Sequence, residues 1–305
     1  MYKILFIRNP KAYLPEISAY CNYFNQHAQF QAFDSKDLPA NVDLAQFDII
    51  WEFMGRGGTP IQDHQLNVHE YVSLSTGRFP RTKNMIKSLF NAKPDLRVFL
   101  NPDVKKDFKF RDNTPFVYRD MGIDPAFIHQ GKQTVAKEYD FVYTGVINST
   151  RGMDTFIRDF CDNPPGQLLL IGEVSEEIAK DYGDHPNLTF TGVLPYKKVP
   201  YYASKARYGI NYMPNKYPYN IQTSTKLIEY LALGLDIITT DYQWVREFEA
   251  KYQLKFHYFD QDNKINLAKI HEETFANIFE AQNFLWDELI EESNVAERLL
   301  HLLEP

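Results

Sequence analysis

Cysteine is almost missing from this sequence. Only Cys21 and Cys161 occur among 305 residues, too few and too far apart to build a disulfide framework or a thiolate metal site, which points to a reducing compartment. No apolar run approaches the roughly 18 residues of a membrane span. The opening Met1–Arg8 stretch has too short an apolar run for a signal peptide and reads as a buried first strand. Excess basic charge is also lacking, since the net charge is −7, which argues against nucleic acid as a partner. No segment is low-complexity and no 20–50-residue repeat recurs. These absences lead us to expect a cytoplasmic protein, free or resting on the inner face of the cytoplasmic membrane.

What is present suffices for two cores. The chain is 44% apolar, 15% aromatic and 24% charged, and its length suits two domains of about 100–200 residues each. The 20 tyrosines and 23 phenylalanines suit sugar-facing clefts and ordinary interiors alike. Charge is unevenly divided. Residues 1–137 carry more basic than acidic side chains although the whole chain is acidic, and the excess concentrates between Arg78 and Arg111. Such a face could dock anionic lipid headgroups, each basic side chain contributing about 1 kcal/mol near the surface. A solvated helix face fits the same residues.

Short apolar runs alternate with helical patterns along the whole chain, as in α/β proteins with parallel sheets. The first half suggests strands at Tyr2–Ile7, Asp48–Phe53, Tyr71–Leu74 and Arg97–Leu100, with helices at Ile17–Gln26 and Lys83–Asn91. The second half suggests strands at Phe141–Gly145, Leu168–Gly172, Leu188–Gly192, Tyr208–Tyr212 and Asp236–Thr240. Three of these run into glycine, at Gly145, Gly172 and Gly192, where backbone turns sharply or approaches a ligand. Ligands bind at the carboxyl ends of strands in open α/β sheets, so the second half reads as the ligand-binding domain. A single long amphipathic helix is expected from Ala281 to Leu303.

The most informative segment is Met213-Pro-Asn-Lys-Tyr-Pro-Tyr-Asn-Ile-Gln-Thr-Ser-Thr-Lys-Leu-Ile-Glu-Tyr-Leu-Ala-Leu-Gly234. A polar, aromatic loop runs into Thr223-Ser-Thr225, good capping residues for a helix start. Free amides and the positive end of the helix dipole make that start an anion site. Lys226 can add a full charge to a bound phosphate. Glu229, three residues on and on the same helical face, can accept hydrogen bonds from two vicinal hydroxyls, as on a ribose. An ordinary surface Lys–Glu pair has the same spacing.

From Phe141 to the end, the order of pieces resembles the GT-B glycosyltransferases, especially the large retaining group that includes bacterial polysaccharide and lipid transferases. The pieces are Tyr143-Thr-Gly-Val-Ile-Asn-Ser-Thr-Arg-Gly-Met-Asp-Thr-Phe156, Leu170-Ile-Gly172, Phe190-Thr-Gly-Val-Leu-Pro-Tyr196 and Lys226–Gly234. The resemblance implies an α/β fold of two Rossmann-like domains whose parallel sheets face a central cleft. Residues 1–137 would form the acceptor-side domain and 138–280 the sugar-nucleotide domain, with 281–305 a helix crossing back to the first.

By the same resemblance Arg151 neutralises the donor diphosphate at the turn after Gly145. Lys226 and the amides near Ser224 and Thr225 complete the cradle, with Thr223 and Tyr219 in the loop before it. Glu229 binds ribose, and the backbone at Val193 and Leu194 reads the base. In the first half, Val68-His-Glu-Tyr-Val-Ser-Leu-Ser-Thr-Gly77 resembles the histidine-bearing strand end that faces the donor sugar. His69 would hydrogen-bond sugar or acceptor and Glu70 act as base. Only one of two neighbours on a strand can point into a cleft, and His69 is the favoured one.

The implied donor is a nucleoside diphosphate sugar, UDP or GDP based, with a glycan or lipid-linked acceptor. No metal or other cofactor is expected, and transfer would retain configuration. Three departures stand out. Ile221 replaces the first glutamate of a paired motif, Val146 replaces an arginine, and Asn9-Pro-Lys-Ala-Tyr-Leu-Pro15 stands where a glycine-rich loop is usual. They leave open a degenerate GT-B protein that binds a partner. An epimerase or hydrolase of sugar nucleotides on the same scaffold is the third reading.

Overall fold

The computed structural model of the chain describes residues 1–8, 14–53, 58–262 and 264–304. It divides into two compact units, Met1–Gly122 with Leu285–Pro305, and Ile123–Phe284.

The first unit is built on β1 (Tyr2–Ile7), α1 (Pro15–Gln26), β2 (Phe30–Asp34), β3 (Ile49–Phe53), β4 (Leu66–Tyr71), α2 (Pro80–Phe90), β5 (Leu96–Phe99), α3 (Pro102–Phe108) and β6 (Phe116–Tyr118). Its six strands form a parallel sheet in the order β2-β1-β3-β4-β5-β6. The strand order reverses between β1 and β3. Residues 9–13 and 54–57, which follow those two strands, lie outside the described residues, as does most of the Asn9–Pro15 segment singled out from the sequence. Strand β4 lies earlier than the expected Tyr71–Leu74. Its polar Asn67, His69 and Glu70 conceal it, because buried parallel strands normally read as apolar runs.

One face of this sheet packs on α1 through an aromatic cluster. Phe6, Tyr20, Phe24 and Trp51 lie with ring centroids 4.6–6.4 Å apart. Within it sits a buried charge pair: Glu70 accepts from the Arg119 guanidinium, from Trp51 Nε1 at 2.8 Å and from the Tyr20 hydroxyl at 3.3 Å. Arg119 also lies 5.1 Å over the Trp286 ring. Trp286 begins α11 (Trp286–Glu292), which is followed by α12 (Val295–Leu303). The terminal segment thus belongs to the first unit. It is two helices rather than one, broken at Asn294, whose φ of 54° is left-handed.

The second unit runs α4 (Pro125–Gly131), β7 (Tyr139–Thr144), α5 (Met153–Asp162), β8 (Leu168–Ile171), α6 (Glu176–Tyr182), β9 (Leu188–Gly192), α7 (Val199–Ala203) and β10 (Ala206–Asn211). It continues with α8 (Thr225–Ala232), β11 (Asp236–Thr239), α9 (Gln243–Tyr252), β12 (His257–Tyr258) and α10 (Leu267–Glu272). Its parallel sheet has the order β12-β11-β10-β7-β8-β9. The unit begins at 123 rather than the expected 138 because α4 packs on α7 and α8. Gly131 approaches so closely that a Cβ there would lie 2.2 Å from the Ala232 carbonyl oxygen.

Removing one partner of a buried charge pair leaves the other charge uncompensated, which costs about 3–5 kcal/mol. Arg119→Ala is therefore expected to lower unfolding stability by about that amount in urea titration. A loss under about 1 kcal/mol would mean that this pair does not hold the first unit.

Candidate functional site

The second sheet changes direction between β7 and β10, the position at which open α/β sheets bind ligands beyond their carboxyl ends. Strand β7 ends at Gly145, whose φ of +130° is closed to most side chains. Its amide donates to the Ile171 carbonyl at 2.9 Å. The neighbouring strand β8 ends at Gly172, where a Cβ would lie 2.0 Å from the Gly145 carbonyl oxygen. The strand ends thus meet backbone to backbone.

Helix α8 follows β10 and is registered on the sheet by one tyrosine. The Tyr230 hydroxyl accepts from the Thr144 amide at 2.8 Å and lies 3.0 Å from its Oγ1. The ring rests on Gly209, where a Cβ would come within 2.4 Å. At the other end of the helix Ser224 is the N-cap residue but makes no side-chain cap. Its hydroxyl donates instead to Asn211 Oδ1 at 2.7 Å, while Asn211 Nδ2 donates to Thr239 Oγ1 and the Tyr242 hydroxyl, both at 2.9 Å. This buried network ties α8 to the ends of β10 and β11. The Ser224 hydroxyl therefore does not occupy the first-turn amides of α8, and free amides at a helix start attract anions.

Lys226 is the second residue of α8 and is buried. Its ammonium makes no well-formed hydrogen bond among the described residues, although the Tyr143 hydroxyl lies close enough to favour its charged form. It lies 4.1 Å from the centroid of the Tyr143 ring, a cation–π contact. A Cβ on Gly145 would be 3.9 Å from Nζ, so the ammonium overhangs bare backbone. Burial pushes the Lys226 pKa down, and the positive charge of Arg151 adds to this against the opposing effect of Tyr143. Arg151 closes the short turn Ser149–Arg151 that Asn148 caps. The Tyr143 hydroxyl is also nearly enclosed. Burial raises its pKa, but the charges of Lys226 and Arg151 outweigh this and hold it below its ordinary value. Two cations therefore converge beside Gly145 with no carboxylate bonded to either among the described residues. An unpaired buried ammonium is unfavourable until an anion reaches it.

One turn along, Glu229 is buried and accepts from the Tyr196 hydroxyl at 2.7 Å. Burial raises its pKa to about 7, although the Tyr196 hydrogen bond and the Lys226 charge both oppose the rise. Tyr196 follows the turn that carries Val193 and Leu194, so this turn lies beside the Glu229 carboxyl. Val193 is 74% exposed and Leu194 is half-buried. Tyr219 sits on a short turn, Tyr219–Ile221, that packs against α9. No side-chain contact links it to Lys226 or Glu229 among the described residues. Sequence spacing pointed to Lys226, Glu229, Arg151 and Gly145. It did not point to Tyr143, Tyr196 or Asn211, whose importance arises from contacts 83, 33 and 13 residues away along the chain.

His69 and Glu70 belong to the first unit and, as neighbours on β4, face opposite sides of its sheet. Glu70 is enclosed by Trp51, Tyr20 and Arg119. Its carboxylate is part of the framework and is not free to act as a base. His69 is fully buried with Nε2 3.7 Å from Glu52 Oε2, and neither ring nitrogen is hydrogen-bonded among the described residues. Burial, aided by Arg97, lowers its pKa to about 4, so the ring is a neutral hydrogen-bonding group. Among the described residues, no group of three or more His, Cys, Asp or Glu side chains is placed to hold a metal ion. No helix among them is long and apolar enough to cross a membrane.

No protein-family model matches the chain, and no curated protein matches it in sequence. Solved structures do match it. Sucrose-phosphate synthase from Thermosynechococcus elongatus superposes with a TM-score of 0.69 at 14% identity, covering 99% of this chain and 100% of its own. HepE of Anabaena, solved with UDP-glucose, gives a TM-score of 0.68 at 13% identity over 99% and 100%. AviGT4, a glycosyltransferase of avilamycin A biosynthesis, gives 0.62 at 13% identity over 100% and 98%. The likeness is one of fold. The chain has the GT-B fold, with a parallel six-stranded sheet in each of two Rossmann-like units.

The raised Glu229 pKa has a consequence for stability. A carboxyl with a folded pKa of about 7 and an ordinary unfolded value stabilises the fold while it is protonated, and that contribution is lost as pH rises through about 7. Glu229→Gln should remove this dependence. Relative to wild type, the variant should gain up to about 3 kcal/mol in urea titrations between pH ~4.5 and pH ~8. Parallel pH profiles for the two proteins would show that Glu229 is not the buried titrating group.

Proposed function

We propose that this protein is a glycosyltransferase that moves a sugar from a nucleoside diphosphate sugar, UDP or GDP based, to a hydroxyl of a glycan or lipid-linked acceptor. The observation that carries the reading is the buried, unbonded ammonium of Lys226, which overhangs Gly145 at the switch point of the second sheet. A diphosphate supplies the charge and the acceptor atoms that this ammonium lacks. The glycosyltransferase fold of AviGT4 and the UDP-glucose bound by HepE agree with the assignment.

In the proposed reaction the bond between the anomeric carbon and the diphosphate oxygen breaks, and its electron pair stays on the departing oxygen. The acceptor oxygen bonds to the anomeric carbon while its proton passes to a departing phosphate oxygen. The main task is to stabilise charge on the leaving diphosphate, which fixed cations and amides do well in a site that excludes water. Lys226, Arg151 and the first-turn amides of α8 (Ser224, Thr225) take this role without a metal ion, and transfer retains configuration. Glu229 holds the ribose hydroxyls, exchanging its Tyr196 hydrogen bond for them. Thr223 and Tyr219 shape the loop before α8, and Val193 and Leu194 border the base. His69, neutral and on the first unit, serves as a hydrogen-bonding group for sugar or acceptor. Bacterial cell-surface polysaccharide or glycolipid assembly is the setting we propose. The losses at Ile221 and Val146 favour a second reading, a GT-B protein that binds sugar nucleotide without transferring it.

A ligand at ~100 times its Kd adds about 2.7 kcal/mol to folding stability. One nucleoside diphosphate, UDP or GDP, should therefore raise Tm visibly in wild type and not in Lys226→Ala. Its sugar derivative should release that diphosphate when a glycan acceptor is supplied. No shift with any nucleotide would remove the proposed site. A shift without transfer would select the second reading.

A further inference from the structure

Helix α2 is packed the wrong way round for a surface helix. In a soluble unit the apolar stripe of such a helix faces the core and its polar residues face water. Here the fully buried residue is Asn84, whose Oδ1 accepts from the Ser75 amide at 2.9 Å and whose Nδ2 donates to Asp107 at 2.6 Å. Met85, Ile86, Leu89 and Phe90 instead point outward, with Leu89 59% and Phe90 71% exposed. Phe79 caps the start of the helix, at a left-handed φ of 57° and 65% exposed. A bulky side chain in that region is strained.

The surroundings are basic. Helix α3 lies beside α2 and ends near Lys105, Lys106 and Lys109. Lys105 sits 4.2 Å over the ring of Phe116 on the edge strand β6, where Phe116 and Tyr118 are also exposed. The Arg78 guanidinium lies 5.0 Å from the Phe79 ring centroid. Apolar side chains ringed by cations, on a chain whose net charge is −7, match the chemistry of an interfacial helix. Its apolar face enters the headgroup boundary while lysine and arginine meet anionic lipid. A second copy of the same chain would bring two basic faces together, which disfavours self-association through this patch. A solvated face would not explain why the apolar residues are the exposed ones.

We propose that α2, with Phe79 before it and the basic end of α3 beside it, is a docking face that lays Phe79, Met85, Leu89 and Phe90 into an anionic lipid surface. The proposal involves only the first unit and does not depend on the donor site. It is tested on the full chain by co-sedimentation with vesicles of phosphatidylcholine alone and of phosphatidylcholine with phosphatidylglycerol. Binding is expected only to the anionic vesicles and should weaken as salt is raised. The double variant Leu89→Gln with Phe90→Gln should partition less by on the order of tenfold or more, as two apolar side chains leave the interface. Its Tm should be unchanged, because both side chains are exposed in the fold. A Phe90→Trp variant should shift its emission to shorter wavelength on the same vesicles. Failure of the wild-type chain to bind anionic vesicles would overturn the proposal, as would binding that the double variant leaves intact. Concentration-dependent self-association that the double variant abolishes would also overturn it, in favour of a second copy.

Discussion

The candidate site depends on how one eight-residue helix is seated. Helix α8 could slide or rotate on a sheet without losing its apolar burial, but the Tyr230 hydroxyl fixes it to Thr144 and the Tyr230 ring needs the bare surface of Gly209. The Ser224–Asn211–Tyr242 network fixes its other end. With both ends held, the Lys226 ammonium sits beside Tyr143 and Gly145. A single turn of helix then separates the Lys226 ammonium from the Glu229 carboxyl. Rigid placement of this kind is what lets a site bind charge without reorganising as it does so.

The two units treat buried charge in opposite ways. In the first, Glu70 and Arg119 neutralise each other and are further bonded by Trp51 and Tyr20, so the charges serve the framework. In the second, Lys226 and Arg151 lie near one another without a bonded carboxylate among the described residues, and an aromatic face lies against the ammonium instead. A carboxylate at that spot would stabilise the empty fold and compete with an incoming anion. The tyrosine face tolerates the ammonium and leaves its donors available. The chemistry of the site therefore rests as much on an absence of pairing as on the cations themselves.

Much of the second unit was legible in the sequence because its signals are local. Strands running into Gly145, Gly172 and Gly192, and a Lys–Glu spacing on a helix, need only neighbouring residues to be recognised. The first unit was harder to read. Strand β4 carries polar residues whose partners lie on other strands and on α1, so its alternation does not show which face is buried. The His69–Glu70 pair illustrates the same limit. Extended geometry alone requires the two side chains to diverge, but only the positions of Trp51, Tyr20 and Arg119 show that Glu70 is the one bonded into the framework.

By itself, the sequence determined the α/β class, the two-unit scale, the glycine-ended strands and the pairing of Lys226 with Glu229 on one helical face. These follow from periodicity and from backbone preferences that act over a few residues. Only the tertiary structure decided that Lys226 is buried and unbonded, that Tyr143 lies under it and that Tyr196 holds Glu229. It likewise decided that α2 turns its apolar side outward and that the terminal segment is two helices rather than one. Each of these depends on surfaces brought together from distant parts of the chain, where burial and the presence or absence of a partner set the energy of a charged group.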